Sequence, residues 1–148
     1  MTQYSGEMLS RDRAIELWPQ LEPVLQKAAS AHIPGNGPDL QYIFNALCLD
    51  EVAVFAYFKD GEVSVVLVIQ FFGTDDNKVG ASIIALGGSG LLHFKHRYWH
   101  TVTDWLKAND VSFLDSHVPL KHARMYEKKF GFSEVSAYIR MPLGVSNG

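Results

Sequence analysis

The stretch Gly80–Trp105, GASIIALGGSGLLHFKHRYWHTVTDW, changes its period halfway along. Ala81 to Leu86 is an apolar run of strand length, broken only by Ser82, and Gly87-Gly88-Ser89-Gly90 is a glycine-rich turn. From Leu91 onward Leu91, Leu92, Phe94, Tyr98, Trp99, Val102, Trp105 and Leu106 fill one arc of a helix. A strand that runs through glycines into a helix N-terminus can hold an anion. The glycines let the backbone approach closely, and the unpaired N–H groups of the first turn point outward with the positive end of the helix dipole behind them. Leu86, Gly87, Gly88, Ser89, Gly90 and Leu91 are therefore candidate anion contacts. The same pattern also describes a tight connection that binds nothing. Lys95 lies inside the apolar arc, one turn from the helix start. A charge there needs a partner or a route to water, and a bound phosphate or a snorkelling stem would each provide for it.

Working outward, Asn109-Asp110 ends this helix and Val111–Asp115 reads as a strand. It follows a strand–helix crossover, which predicts parallel pairing with the strand that starts at Val79. Pro119 opens a further helix to about Phe130, Gly131 stops it, and Phe132–Met141 is expected to be the last strand. On the other side, Val52–Phe58 and Val63–Phe72 are strands joined by a Lys59-Asp60-Gly61-Glu62 hairpin turn. The second of them is apolar on both faces, which places it at the centre of a sheet with helices on both sides. After a polar turn at Gly73–Lys78, Val79–Leu86 completes an antiparallel meander.

Earlier still, Asp39–Leu49 predicts a helix with Leu40, Ile43, Phe44 and Leu47 on one side and Cys48 near that side as a small buried hydrophobe. Ile33–Pro38 is a loop by composition. Ser10 can cap a first helical turn, Pro19 is expected to reset the chain, and a helix should then run from near Gln20 to Ala31, since Pro23 is tolerated in a first turn. Residues 1–9 read as a loose arm or a short edge strand.

The chain has 148 residues, enough for one domain, 1–148, with a real core. Hydrophobic residues make up 47% and charged residues 20%, which excludes a disordered polyelectrolyte. A net charge of −3 supplies no basic field to recruit nucleic acid. The lone Cys48 cannot form an internal disulfide, no stretch resembles a signal peptide, and the longest apolar run is too short to span a bilayer. A cytoplasmic setting follows as the expectation. His93, His96 and His100 share a helical face that reads as the solvent side, so a polar surface or a partner contact is expected there rather than a metal. Lys121, His122, Arg124, Lys128 and Lys129 make the last helix basic, which suits phosphates, an acidic partner or plain solvent.

The element order, the Ala123–Phe132 segment ARMYEKKFGF and the ending Arg140-Met141-Pro142-Leu143 resemble the GNAT superfamily of N-acetyltransferases. The resemblance implies an α+β fold: a mixed sheet with an antiparallel meander, parallel strands that splay, and helices on both faces. It implies acetyl-CoA as co-substrate, an amine acceptor that is a small molecule or a protein, and direct attack of the amine on the thioester. In the family the pyrophosphate sits on a Gln/Arg-x-x-Gly-x-Gly/Ala turn. Ala85-Leu86-Gly87-Gly88-Ser89-Gly90 keeps Gly88 and Gly90 but has Ala85 at the basic or amide position, with Lys95 as a substitute contact.

The family's acid, a tyrosine that protonates the departing CoA thiolate, maps to Tyr126. Its distance to Gly131-Phe132 is one residue longer than usual, which would put Glu127 in its place. The base maps to His117 and then Asp115, since the strand at Ser82–Ala85 carries no carboxylate. The Trp18-Pro19 start and compact glycine turn are similar to short GNAT-like proteins of bacteriophages, some of them virion components. The alternative is an inactive structural or host-interaction module, for example in a phage particle, with a homodimer or a virion protein as partner; the missing Gln/Arg at Ala85, the shifted Tyr126 and the absent strand carboxylate favour it. A third implied reading is an acyl-CoA sensor.

Overall fold

In the computed structural model, residues 1–30, 39–118, 120–135, 141 and 143 are described. The order is β1 (Tyr4–Leu9), α1 (Arg11–Ser30), α2 (Leu40–Cys48), β2 (Val52–Lys59), β3 (Glu62–Gly73), β4 (Val79–Gly88), α3 (Leu91–Ala108), β5 (Val111–Ser116) and α4 (Leu120–Phe130). The strands form a five-stranded sheet in the order β1-β2-β3-β4-β5. The first three interfaces are antiparallel, and β4–β5 is parallel, as the crossover rule requires.

The β2–β3 hairpin turns where Asp60 and Gly61 both adopt positive φ, 51° and 83°, the backbone that suits a two-residue turn between twisted strands. β3 is central. Val66 and Val68 pack into one core with Leu17, Leu21 and Leu25 of α1 and Ile43 and Leu47 of α2. Val65, Leu67 and Ile69 pack into a second core with Phe94, Trp99, Val102 and Leu106 of α3 and Phe130 of α4. Two covered faces are the reason β3 shows no polar alternation. Residues 4–9 are an edge strand, with Tyr4 opposite Lys59 and Leu9 opposite Val54.

Pro19 does not reset the chain. α1 runs unbroken from Arg11 to Ser30 with Pro19 and Pro23 inside it, and Ser10 caps it by accepting the Arg13 N–H at 3.2 Å. Both prolines are exposed, while Ala14, Leu17, Leu21 and Leu25 are fully or nearly fully buried on one stripe. Burial of that stripe outweighs the hydrogen bonds that each proline removes. Cys48 is exposed rather than buried, because Ile43, Ala46 and Leu47 take the inward positions of α2. Phe132–Val135 and Met141 lie outside any strand. The rest of the expected last strand, the 33–38 loop and Pro119 fall outside the described residues.

Phe94 shows how tightly α3 is seated. It is 0% exposed, and its ring lies 5.7 Å from Tyr57, 5.9 Å from Tyr98 and 6.3 Å from Trp99. Phe94→Ala is expected to cost about 3–5 kcal/mol in urea denaturation, the range for emptying a buried aromatic position.

Candidate active site

β4 outlasts β5. The two pair from Val79↔Val111 to Ile83↔Ser116, and β4 then continues to Gly88, pairing only with β3 among the described residues. The next residue of β4, Ile84, is a bulge: Val68 pairs with Ala85 and Ile69 with Ile83, which leaves Ile84 without a β3 partner. A bulge bends its strand, so β4 changes course where β5 ends. The chain leaves β5 through His117 and enters α4 at Leu120, while β4 leads into α3 at Leu91. Two neighbouring parallel strands thus each lead into a helix at their carboxyl ends, β4 later than β5. In open sheets the crevice beyond such carboxyl ends is where ligands bind.

The glycine turn is shorter than the sequence suggests. Gly87 and Gly88 are strand residues, opposite Val66 and Val65. Ser89 donates its N–H to the Ser64 carbonyl at 2.9 Å, and the Ser64 hydroxyl donates to the Ser89 carbonyl at 2.6 Å. Gly90 is the N-cap of α3, with φ 76° and no side-chain cap. Among the described residues, the N–H groups of Gly90, Leu91, Leu92 and His93 donate to no protein acceptor. The candidate anion contacts therefore shift: the Ser89 amide is taken, Leu86, Gly87 and Gly88 support the turn from the sheet, and the free donors are residues 90–93. Lys95 is half-buried and forms no ion pair among the described residues. Ala85, 3% exposed, is packed in the α1 core and offers nothing to a ligand.

The other candidates are not all gathered at the fork. Asp115 sits opposite Ser82 in the β4–β5 ladder and accepts the Ser82 hydroxyl at 2.5 Å. His117 is exposed, one residue beyond β5. Tyr126 is half-buried and packs its ring 5.6 Å from both Phe130 and Phe132, whereas Glu127 is exposed. So the tyrosine keeps the inward position. The helix ends at Gly131, φ 79°, where the Phe132 N–H reaches the Tyr126 carbonyl at 3.3 Å. No hydrogen bond joins Tyr126 to His117 or Asp115.

His93 departs from the expected solvent stripe. Its ring stacks on Tyr4, with centroids 3.6 Å apart, and its Nδ1 lies 2.8 Å from the Tyr57 hydroxyl. The edge strand β1 widens the sheet beneath the first turn of α3, which a helical projection alone cannot show. His96 and His100 are exposed. Among the described residues no three His, Cys, Asp or Glu side chains are grouped to hold a metal ion, and no helix is long and apolar enough to cross a membrane.

Burial raises the pKa of Tyr126. Burial, and secondarily the Glu7 carboxylate, raises that of Tyr98. Burial also raises Tyr57, against the opposing pull of Arg97. A raised phenol pKa means that the folded chain holds the proton more tightly than the unfolded one. The resulting stability is complete below the ordinary value of 10.0 and is lost as pH climbs through the raised values. Urea midpoints should stay flat from neutral pH upward and fall once pH passes that value. Tyr126→Phe should shrink the fall, and an identical alkaline profile for that variant would contradict the assignment.

Ser64 was not legible as a site residue. It is one polar position in an apolar strand, and only its place opposite Ser89 gives it a role.

The chain matches no family model. No curated protein matches it in sequence. Its fold does have counterparts among solved structures. An aminoglycoside acetyltransferase from an uncultured soil metagenomic sample superposes with a TM-score of 0.66 at 11% identity, over 95% of this chain and 97% of that one. The ribosomal-protein-alanine N-acetyltransferase of Brucella melitensis gives a TM-score of 0.62 at 16% identity, over 96% and 100%. A GNAT family acetyltransferase of Staphylococcus aureus gives 0.61 at 11%, over 95% and 98%. The architecture is the one these acetyltransferases share: a mixed sheet of α+β class with helices on both faces.

Proposed function

We propose that this chain is an acetyl-CoA-dependent N-acyltransferase that works by direct transfer, in a cytoplasmic setting. The observation that supports the reading is the end of the β4–β5 ladder at Ile83↔Ser116, next to the bulge at Ile84, together with the N–H groups of residues 90–93, which have no protein acceptor among the described residues. In this reading those amides and Lys95 hold the CoA pyrophosphate. The thioester lies along the open edge of β4, whose backbone N–H groups polarise its carbonyl. An amine nitrogen attacks the carbonyl carbon, the tetrahedral intermediate collapses, and the C–S bond breaks.

His117, at the mouth, takes the proton from the amine, with Asp115 as second choice because the Ser82 hydroxyl already occupies one of its oxygens. Tyr126 gives its proton to the leaving thiolate; its phenol is protonated at neutral pH, and burial raises its pKa further above the ordinary 10.0. The protein need supply no nucleophile, in keeping with an exposed Cys48 remote in sequence from the turn.

The test is calorimetric titration with acetyl-CoA, followed by thiol release in the presence of an aminoglycoside, a peptide with N-terminal alanine, and a lysine peptide. Micromolar binding with release of CoA on one of these amines supports the reading. A second reading is favoured by the apolar Ala85 and the tied Asp115: an inactive structural or host-interaction module, for instance a virion component with a homodimer or virion protein as partner. Absence of acetyl-CoA binding would select it, while binding without transfer to any offered amine would select an acyl-CoA sensor.

A further inference from the structure

We propose that Ser64 is the positioning residue of the glycine turn, fixing the Ser89–Gly90 peptide so that the Gly90 N–H faces the anion. The anion itself rests on the acyltransferase reading above; the fixing of the peptide does not. Ser64 is the buried polar residue of the described structure, at 8% exposure. A buried hydroxyl in an apolar strand needs a partner, and this one has a single use: it donates to the Ser89 carbonyl at 2.6 Å. The backbone of the same residue completes the grip, its carbonyl accepting the Ser89 N–H at 2.9 Å.

A second bulge makes this grip available. Tyr57 pairs with Val65 and Phe58 with Val63, which leaves Ser64 without a β2 partner. The bulge frees Ser64 from the ladder and re-aims it. In a planar trans peptide the C=O and N–H point in opposite directions, and no peptide bond among the described residues is cis. With the Ser89 oxygen held toward β3, the Gly90 N–H must point away from β3, joining those of Leu91, Leu92 and His93. The alternative matters because this peptide ends at Gly90 and follows Gly88, with φ of 76° and 129°. Glycines resist peptide rotation least. An unpinned Ser89–Gly90 unit could turn its carbonyl oxygen outward and present a negative dipole to a phosphate.

Three measurements test this. In the unliganded protein, Ser64→Ala removes the hydrogen bond to the Ser89 carbonyl and should shift the Ser89 carbonyl-carbon resonance upfield, while Ser64→Thr, which keeps the hydroxyl, should leave it near its wild-type position. For acetyl-CoA, Ser64→Ala should raise Kd and KM about five- to tenfold, the worth of one hydrogen bond of about 1 kcal/mol or slightly more. It should leave kcat within twofold, a split that general destabilisation would not produce. In the wild type, inorganic pyrophosphate should shift the Gly90 amide resonance together with those of Leu91 and Leu92, which needs no variant to fold.

A Ser89 carbonyl-carbon resonance that stays in place in Ser64→Ala overturns the pinning. A Gly90 resonance that stays still while its neighbours move overturns the orientation. Wild-type protein that binds neither acetyl-CoA nor pyrophosphate overturns the anion, and with it the acyltransferase reading, whatever the Ser89 carbonyl resonance shows.

Discussion

Replacing Gly88 by alanine should destabilise the fold by about 4 kcal/mol, roughly 10 °C in Tm for a chain of this size. Two costs add. Gly88 holds φ 129°, a conformation that costs a side-chain-bearing residue on the order of 1–3 kcal/mol. A Cβ there would also stand 2.0 Å from the Ser64 carbonyl oxygen and 2.7 Å from the Val65 Cα. Both obstacles are backbone of the central strand and cannot swing aside as a side-chain tip would. Relief would require opening the β3–β4 ladder at Val65↔Gly88, which also breaks the paired bonds between Ser64 and Ser89. Urea denaturation of the variant is the direct measurement. A loss under about 1 kcal/mol would show that this close approach is not maintained in solution.

Gly90→Val should do the reverse, sparing the fold and weakening the acetyl-CoA binding that the acyltransferase reading proposes. Gly90 also has positive φ, 76°, but the nearest atom a Cβ would meet is the Ser64 Oγ at 3.5 Å, which is ordinary contact. The backbone conformation alone costs about 1–2 kcal/mol for a residue with a Cβ. What the branched side chain would obstruct is the approach to the N–H groups of residues 90–93. Acetyl-CoA affinity should fall at least about thirtyfold, roughly 2 kcal/mol, measured by calorimetry on a variant whose Tm stays within about 6 °C of wild type. Affinity unchanged to within threefold would remove the helix N-terminus from the binding site. Two glycines two positions apart should thus separate cleanly into one that protects the fold and one that protects the ligand.

The different surroundings of these two glycines could not be told apart in the sequence. Gly87, Gly88 and Gly90 read there as one flexible turn. The distinction depends on β3: Gly88 abuts Ser64 and Val65, while Gly90 has already passed beyond the sheet. The same holds for Ser64 itself, whose partner is 25 residues away in the chain. His93 was assigned to solvent by the helical projection of α3, and only the presence of Tyr4 on the sheet edge turned it into a packed residue. The prolines of α1 show the limit from another side. Local propensity argues for a break at Pro19, yet an uninterrupted stripe from Ala14 to Leu25 carries the helix through it.

What the amino-acid order determined alone is everything that depends on near neighbours. The Asp60-Gly61 hairpin, the two-faced apolar run that makes β3 central, the parallel return of β5 after a crossover helix, and the strand–glycine–helix unit at 80–105 all follow from periodicity, turn chemistry and chirality. What the tertiary structure decided is where polar groups find partners. The two bulges at Ser64 and Ile84, the assignment of the Ser89 amide to the sheet, the bond between Ser82 and Asp115, and the inward turn of Tyr126 all arise from contacts between distant segments. Hydrogen bonds are short-ranged and directional. Their pairing therefore depends on which strand comes to lie beside which, and no local pattern encodes it.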